Sequence, residues 1–104
     1  RRFAGVVVTN YLWRPILPRI VAAVADGGCL IYETFARGNE VFGRPRNPDF
    51  LLAENELLDR IAGALTVVAF EQGLVGAPRS PAVVQRIAAV GRRRPWPPAL
   101  PPTR

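Results

Sequence analysis

Glu33 ends an otherwise apolar run, Cys29-Leu30-Ile31-Tyr32, and after Thr34-Phe35 the chain enters a polar segment holding Arg37, Asn39, Glu40, Arg44, Arg46, Asn47 and Asp49. A second apolar run, Phe3 to Val8, closes on Thr9-Asn10-Tyr11 and is followed by Trp13 and Arg14. These are residue types that bind. Guanidinium forks match carboxylates and phosphates, and aromatic rings offer an apolar wall with a polar edge. They do not attack. The chain has no His and a single Cys, Cys29, so Ser-His and Cys-His dyads and zinc-type ligand sets are excluded within it. Cys29 itself reads as a small buried hydrophobe. The chemistry in reach is binding of a small molecule, without a zinc-type centre or a histidine-activated nucleophile.

The elements that must position these residues follow from periodicity. A buried strand that stops at a carboxylate and runs into a long loop is where an open α/β sheet receives its ligand, beyond the carboxyl ends of its strands. Loops of such length inside a compact domain are functional or unstructured; this one reads as the lid or wall of a small-molecule pocket. Phe3–Thr9, with three consecutive valines, predicts a strand buried on both faces. Ile16, Leu17, Ile20, Val21 and Val24 recur at helical spacing through Ala25. Pro15 and Pro18 start that helix, since proline suits only a first turn. Asp26-Gly27-Gly28 is expected to close it, with glycine in a left-handed cap. Cys29–Phe35 is the next strand, reached by a right-handed crossover. Glu54–Ala62 predicts a second helix, with Leu57, Leu58 and Ile61 inward and Glu56 and Arg60 four apart on its wet side. Ala64–Phe70 is a third strand and Glu71–Pro81 a turn region. Ala82–Val90 suits either period; it is read as a strand because a helix there would leave the preceding strand at a bare edge.

At 104 residues the chain is at most one domain. No apolar run approaches the roughly 18 residues a membrane-spanning helix needs, and no signal peptide is visible. There is no Met, and the chain opens almost directly on an apolar run, so a fragment is expected. The net charge is +6 and all 14 basic residues are Arg. Residues 1–91 hold ten arginines against eight acids, while positions 92–104 hold no acid. The basicity therefore belongs to the end of the chain, and no nucleic-acid face is expected. A single cysteine fits a reducing, cytoplasmic compartment. Two regions result: a folded part, 1–91, and an Arg/Pro-rich tail, 92–104, expected to be disordered or extended. Arg92-x-x-Pro95-x-x-Pro98 matches the pattern read by PxxP-binding domains, although short Pro/Arg tails match often by chance. It opens an alternative in which the chain is a non-catalytic half-domain that recruits a partner through its tail.

Thr9-Asn10-Tyr11-Leu12-Trp13-Arg14-Pro15 after the first strand, Asp26-Gly27-Gly28 leading into Tyr32-Glu33-Thr34-Phe35, and Arg44-Pro45-Arg46-Asn47-Pro48-Asp49-Phe50-Leu51-Leu52 in the loop together carry a resemblance. Over about residues 3–90 the chain resembles the second half of a class I S-adenosylmethionine-dependent methyltransferase, most like the small tellurite-resistance-type bacterial enzymes. The resemblance implies an α/β fold, half of a Rossmann-like sheet with three parallel strands, one antiparallel strand and two main helices. Ala82–Val90 would be the reversed strand beside Cys29–Phe35. It implies S-adenosylmethionine as cofactor and a small-molecule methyl acceptor. Thr9, Asn10 and Tyr11 would face the cofactor. Trp13, Arg14, Glu33, Phe35, Arg37, Asn39, Arg44 and Asn47 would face the acceptor. Methyl transfer is a direct displacement, which needs alignment and exclusion of water rather than a nucleophilic side chain or a metal. The family's first three strands are missing, with its glycine-rich loop and ribose-binding acid, and no G-x-G-x-x-G-like segment occurs; this chain alone is expected to be inactive. Plainer roles stand beside these: Asn10 as a helix cap, Trp13 as core packing, Glu33 as the first wet residue of the loop, and the loop's Arg and Asn side chains as a solvated face. The outer edge of Phe3–Thr9, without its neighbour, is expected to promote self-association.

Overall fold

The computed structural model describes residues 1–93 and Pro97. The expected disordered tail and its PxxP-type pattern fall almost wholly outside the described residues. Strands β1 (Phe3–Thr9), β2 (Val24–Phe35), β3 (Thr66–Val75) and β4 (Ala82–Val90) form one sheet in the order β1-β2-β4-β3. β1 pairs parallel with β2, while β4 pairs antiparallel with both β2 and β3. Helices α1 (Leu17–Ala22) and α2 (Glu56–Ile61) pack on one face, α1 entered through a 3-10 turn at Arg14–Ile16. The protein is thus a four-stranded mixed α/β sheet with two helices.

Alternation along β2 explains which face is covered. Leu30, Tyr32 and Thr34 are buried, whereas Ile31 is exposed, as a strand with one covered face requires. The covered face gathers Leu12, Leu17, Leu30, Tyr32, Leu57, Ile61 and Ile87 into one core. On the other face stand Val7, 71% exposed, and Ile31, with Glu33 and Glu71 flanking Arg86 through ion pairs of 3.0 and 3.3 Å. The Arg86 Nε lies beside Glu33 but off the N–H direction, so it makes no hydrogen bond.

Besides β1, which is expected to be buried on both faces and leaves Val7 open on one, three features differ from expectation. β2 begins at Val24, not Cys29, and Asp26-Gly27-Gly28 caps no helix: α1 ends at Ala22 with a right-handed C-cap at Ala23. The glycines instead form a bulge, because Phe3 pairs with Val24 while Gly5 pairs with Cys29. A Cβ on Gly28 would sit 2.8 Å from the carbonyl oxygens of Phe3 and Ala4, so the close approach of β1 demands glycine. The second difference lies in Glu71–Val75, which is strand rather than turn, since its register with β4 continues to Val75 opposite Ala82. Glu71-Gln72-Gly73 carries turn residues, but ladder pairing overrides them, and only 76–81 turn. The third is Glu56, which does not lie on a wet side; its side chain is 11% exposed and paired with Arg14. Val83–Val90 is extended, not helical.

β1 is an edge strand of seven residues without a proline or lysine to blunt it. The chain is expected to form dimers or larger species at about 10–100 µM, the range in which such edges associate. A monodisperse monomer in light scattering at those concentrations contradicts this.

Candidate functional site

The carboxyl ends of β1 and β2 are tied together. Asn10 N–H donates to the Glu33 carbonyl at 2.9 Å, and Asn10 adopts a left-handed φ of 54°, which turns the chain out of the sheet just past Thr9. Beneath this turn Tyr32, fully buried, donates its hydroxyl to the Tyr11 carbonyl at 2.6 Å. Burial pushes the Tyr32 phenol up to about 12, so it stays a donor throughout the ordinary pH range. The loop from Ala36 to Asn55 leaves and returns at one point: Leu52 N–H donates to the Phe35 carbonyl at 3.0 Å and Arg37 N–H to the Leu52 carbonyl at 2.9 Å. Its ends are fixed while its middle reaches over the strand ends.

A cleft of about 450 Å3 results. Asn10, Tyr11, Leu12 and Trp13 line it from the β1–α1 connection, Thr34 and Phe35 from β2, and Pro45 and Phe50 from the loop. It is mainly apolar, with Trp13 55% exposed and Phe50 also presenting surface. The wall is braced by Arg14. Its Nε and Nη2 donate to Glu56 at 2.7 and 2.9 Å, and its Nη1 and Nη2 also donate to the carbonyls of Asp49 and Leu51 at 2.9 and 2.8 Å. One planar fork therefore joins the connection carrying Trp13, the loop carrying Phe50 and the first turn of α2. The hydrogen bonds from Arg14, helped by Ala53 N–H and Arg60, hold the Glu56 carboxyl down at about 2, and Glu56 in turn raises the Arg14 guanidinium above its usual value.

No family model and no curated protein matches the sequence. Solved structures do match. TehB from Haemophilus influenzae superposes with a TM-score of 0.63 at 16% identity, over 86% of this chain and 36% of that one. The N-methyltransferase NodS from Bradyrhizobium japonicum WM9 superposes with a TM-score of 0.59 at 19% identity, over 86% of this chain and 52% of its own. Both are class I S-adenosylmethionine-dependent methyltransferases. The chain has part of the class I methyltransferase fold. It spans about a third of the first neighbour and half of the second.

Within this methyltransferase-type fold the expected site residues separate into groups. Asn10, Tyr11, Trp13 and Phe35 converge on the cleft. Asn10 caps no helix, since the first helical turn has Trp13 at its N-cap and no side-chain cap. Trp13 is no core residue either, with more than half its surface open. Thr9 ends β1 beside Glu33 but does not line the cleft. Glu33 turns to the helix-free face and Arg86. Arg14 is committed to Glu56 and two carbonyls, so it positions rather than contacts. Asn47 accepts from Asp49 N–H at 2.9 Å and shapes the loop's own turn. Arg37 lines a separate, small concavity near Gln72. Asn39, 2% exposed, is a pin: its Oδ1 accepts from Val83 N–H at 3.0 Å and its Nδ2 donates to the Arg44 carbonyl at 3.3 Å. Arg44 itself faces a second concavity of about 380 Å3 that adjoins the cleft at Phe35.

Leu12, Thr34, Pro45 and Phe50 were not legible as cleft residues. The one available signal was the scatter of apolar residues in a polar loop, Val41, Phe42, Pro45, Pro48 and Phe50, which does not single out the two that line the cleft. A larger cavity, about 560 Å3, lies elsewhere, between α1 and α2 over Leu30 and Tyr32. Its walls are aliphatic and its rim charges are mutually satisfied: Asp26 with Arg2, Arg60 with Glu56, and Arg92 with the carbonyls of Gly63 and Ala64. It is a gap between helices with no convergent free polar group, and the strand-end cleft is the better site. Among the described residues no group of three or more His, Cys, Asp or Glu side chains could hold a metal ion, and no helix is long and apolar enough to cross a membrane.

Proposed function

We propose that this chain forms the acceptor side and methyl-proximal wall of an S-adenosylmethionine-dependent methyltransferase site that acts on a small molecule. One observation carries the reading: Asn10 and Phe35, at the ends of two parallel strands, line a single aromatic cleft over which the 36–55 loop is folded. Solved structures that share the fold support it.

The residues fit one part of the cofactor and not the rest. An apolar, aromatic cleft suits a methyl-bearing cation, which ring faces attract. The described residues offer no free acid at a strand end for a ribose, because Glu33 is paired with Arg86, and the sequence has no glycine-rich phosphate-type or amino-acid loop. Those contacts would have to come from outside this chain. When bound, S-adenosylmethionine supplies the methyl group from its sulfonium. Trp13, Phe35 and Phe50 would hold the acceptor's apolar body, and the loop would exclude water from the displacement. Arg14 would keep both walls at a fixed separation through Glu56, Asp49 and Leu51. Alignment of this kind is worth several kcal/mol of barrier.

The test is a thermal-shift titration of the full-length gene product with adenosylhomocysteine. Saturating ligand is expected to stabilise it by about 2–4 kcal/mol. A protein that ignores this ligand but responds to a nicotinamide or flavin nucleotide overturns the reading.

A further inference from the structure

Arg44 and Arg79 lie 35 positions apart in the sequence, one in the 36–55 loop and one in the β3–β4 turn, yet both wall the same concavity of about 380 Å3. The fold brings them together deliberately. Ala36 N–H donates to the Val83 carbonyl at 2.9 Å, and buried Asn39 joins Val83 N–H to the Arg44 carbonyl. The turn holding Arg79 is closed by Ser80 N–H on the Gly76 carbonyl at 2.8 Å.

What distinguishes these two arginines is that both lack a partner and both wall one hollow. Among the described residues Arg19, Arg37 and Arg46 are also without an ion pair, but none of them shares a concavity with a second unpaired arginine. Arg2, Arg14, Arg60 and Arg86 are each matched to a carboxylate. Neither Arg44 nor Arg79 has a side-chain hydrogen bond or ion pair among the described residues. No acid lines their concavity; the remaining wall is Phe35, Phe42, Asn39 and the 80–82 turn. Two like charges facing one hollow repel, and an anion between them removes that repulsion while accepting from two planar forks. The hollow is contiguous with the aromatic cleft: Phe35 lines both, and Pro45, next to Arg44, lines the cleft.

We propose that Arg44 and Arg79 bind the anionic group, a carboxylate or a phosphate monoester, of an acceptor whose apolar body extends past Phe35 into the aromatic cleft. The anion site stands on the geometry alone; calling its ligand the acceptor rests on the methyl-transfer reading above. Arg79 then sets specificity from a turn that no reading of the first half of the chain would reach.

Titration of the 15N-labelled chain with phenyl phosphate, benzoate, benzamide and inorganic phosphate tests this. Phenyl phosphate or benzoate is expected to shift the amides of Gly43, Arg44, Ser80 and Ala82 with a Kd of about 1 mM or below, and which of the two binds more tightly identifies the anion. Arg44→Gln and Arg79→Gln, both at exposed positions, are each expected to weaken binding about tenfold without moving resonances of the core. Calorimetric titration with the same panel gives the same comparison if self-association broadens the spectra. Benzamide binding as tightly as the better of the two anions, unchanged affinity in both variants, or neither phenyl phosphate nor benzoate binding more tightly than inorganic phosphate each overturns the proposal. No cofactor is needed, so anion binding without a response to adenosylhomocysteine removes the methyl-transfer reading alone, and the converse removes this one alone.

Discussion

Glu56→Ala lowers the melting temperature by roughly 10–20 °C, the shift expected in a domain of this size for a loss of about 2–4 kcal/mol. The carboxylate meets Arg14 twice, Arg60 once and Ala53 N–H once, all at 2.7–2.9 Å. Its loss leaves a partly buried guanidinium without its counter-charge, which costs more than the absence of a pair would. The same pair predicts an acid limb. The Glu56 carboxyl sits at about 2 in the fold, against 4.5 ordinarily, so between those values the unfolded chain binds the proton that the folded chain refuses. Stability contributed by Glu56 is fully present above about pH 4.5 and is lost as pH falls toward 2, by about 3 kcal/mol. Urea denaturation at a series of acid pH values checks both effects. The wild type weakens through that window, and a Glu56→Ala variant lacks this component. Parallel pH profiles for the two proteins would show that the pair does not stabilise the fold.

The second large effect is at Gln85, a polar side chain with no exposed surface in the middle of β4. Its Oε1 accepts from Leu57 N–H at 3.0 Å and its Nε2 donates to the Ala53 carbonyl. Gln85→Leu keeps the volume and strands the buried Leu57 N–H away from water, at about 1–3 kcal/mol, while the Ala53 carbonyl keeps the Glu56 N–H at 3.0 Å. α2 has six residues and is too short to stand without such anchors. Its detachment would free the returning arm of the loop and hence Phe50. Hydrogen exchange at Leu57 should accelerate by at least tenfold, alongside a fall in melting temperature. Unchanged exchange would mean that Gln85 merely fills space.

The aromatic cleft and the anion hollow depend on these two anchors in different ways. Glu56 holds the Trp13 and Phe50 walls through Arg14, so its loss opens the cleft. Gln85 holds the base of α2 and acts on the cleft through Leu51–Ala53. Arg44 is positioned instead by Asn39, itself tied to Val83, and Arg79 by the β3–β4 turn that Ser80 N–H closes on the Gly76 carbonyl. A Glu56→Ala protein that still folds should therefore keep the anion site while losing the cleft's shape.

Local pattern was enough to read the strands of β1 and the apolar part of β2, the helical stripe from Ile16, and the end-of-strand position of Asn10, Tyr11, Trp13 and Phe35; Ala82–Val90 suits either period and reads as a strand only from the need to cover its neighbour's edge. Apolar runs with turn residues at their ends carry that information within a dozen positions, because burial and backbone preference are local. Three things were settled only by distant contacts. Gly27-Gly28 reads as a helix cap in sequence but is a bulge, since the carbonyls that exclude a side chain belong to β1. Glu56 reads as an exposed partner of Arg60, because the Arg14 that buries it lies 42 residues away. Arg79 reads as turn punctuation, yet pairing of β3 with β4 delivers it beside Arg44. Composition and spacing determine which residues lie on strand ends and which are apolar; only the sheet register and the loop's return at Leu52 decide which charges are neutralised by a partner and which are left facing a hollow.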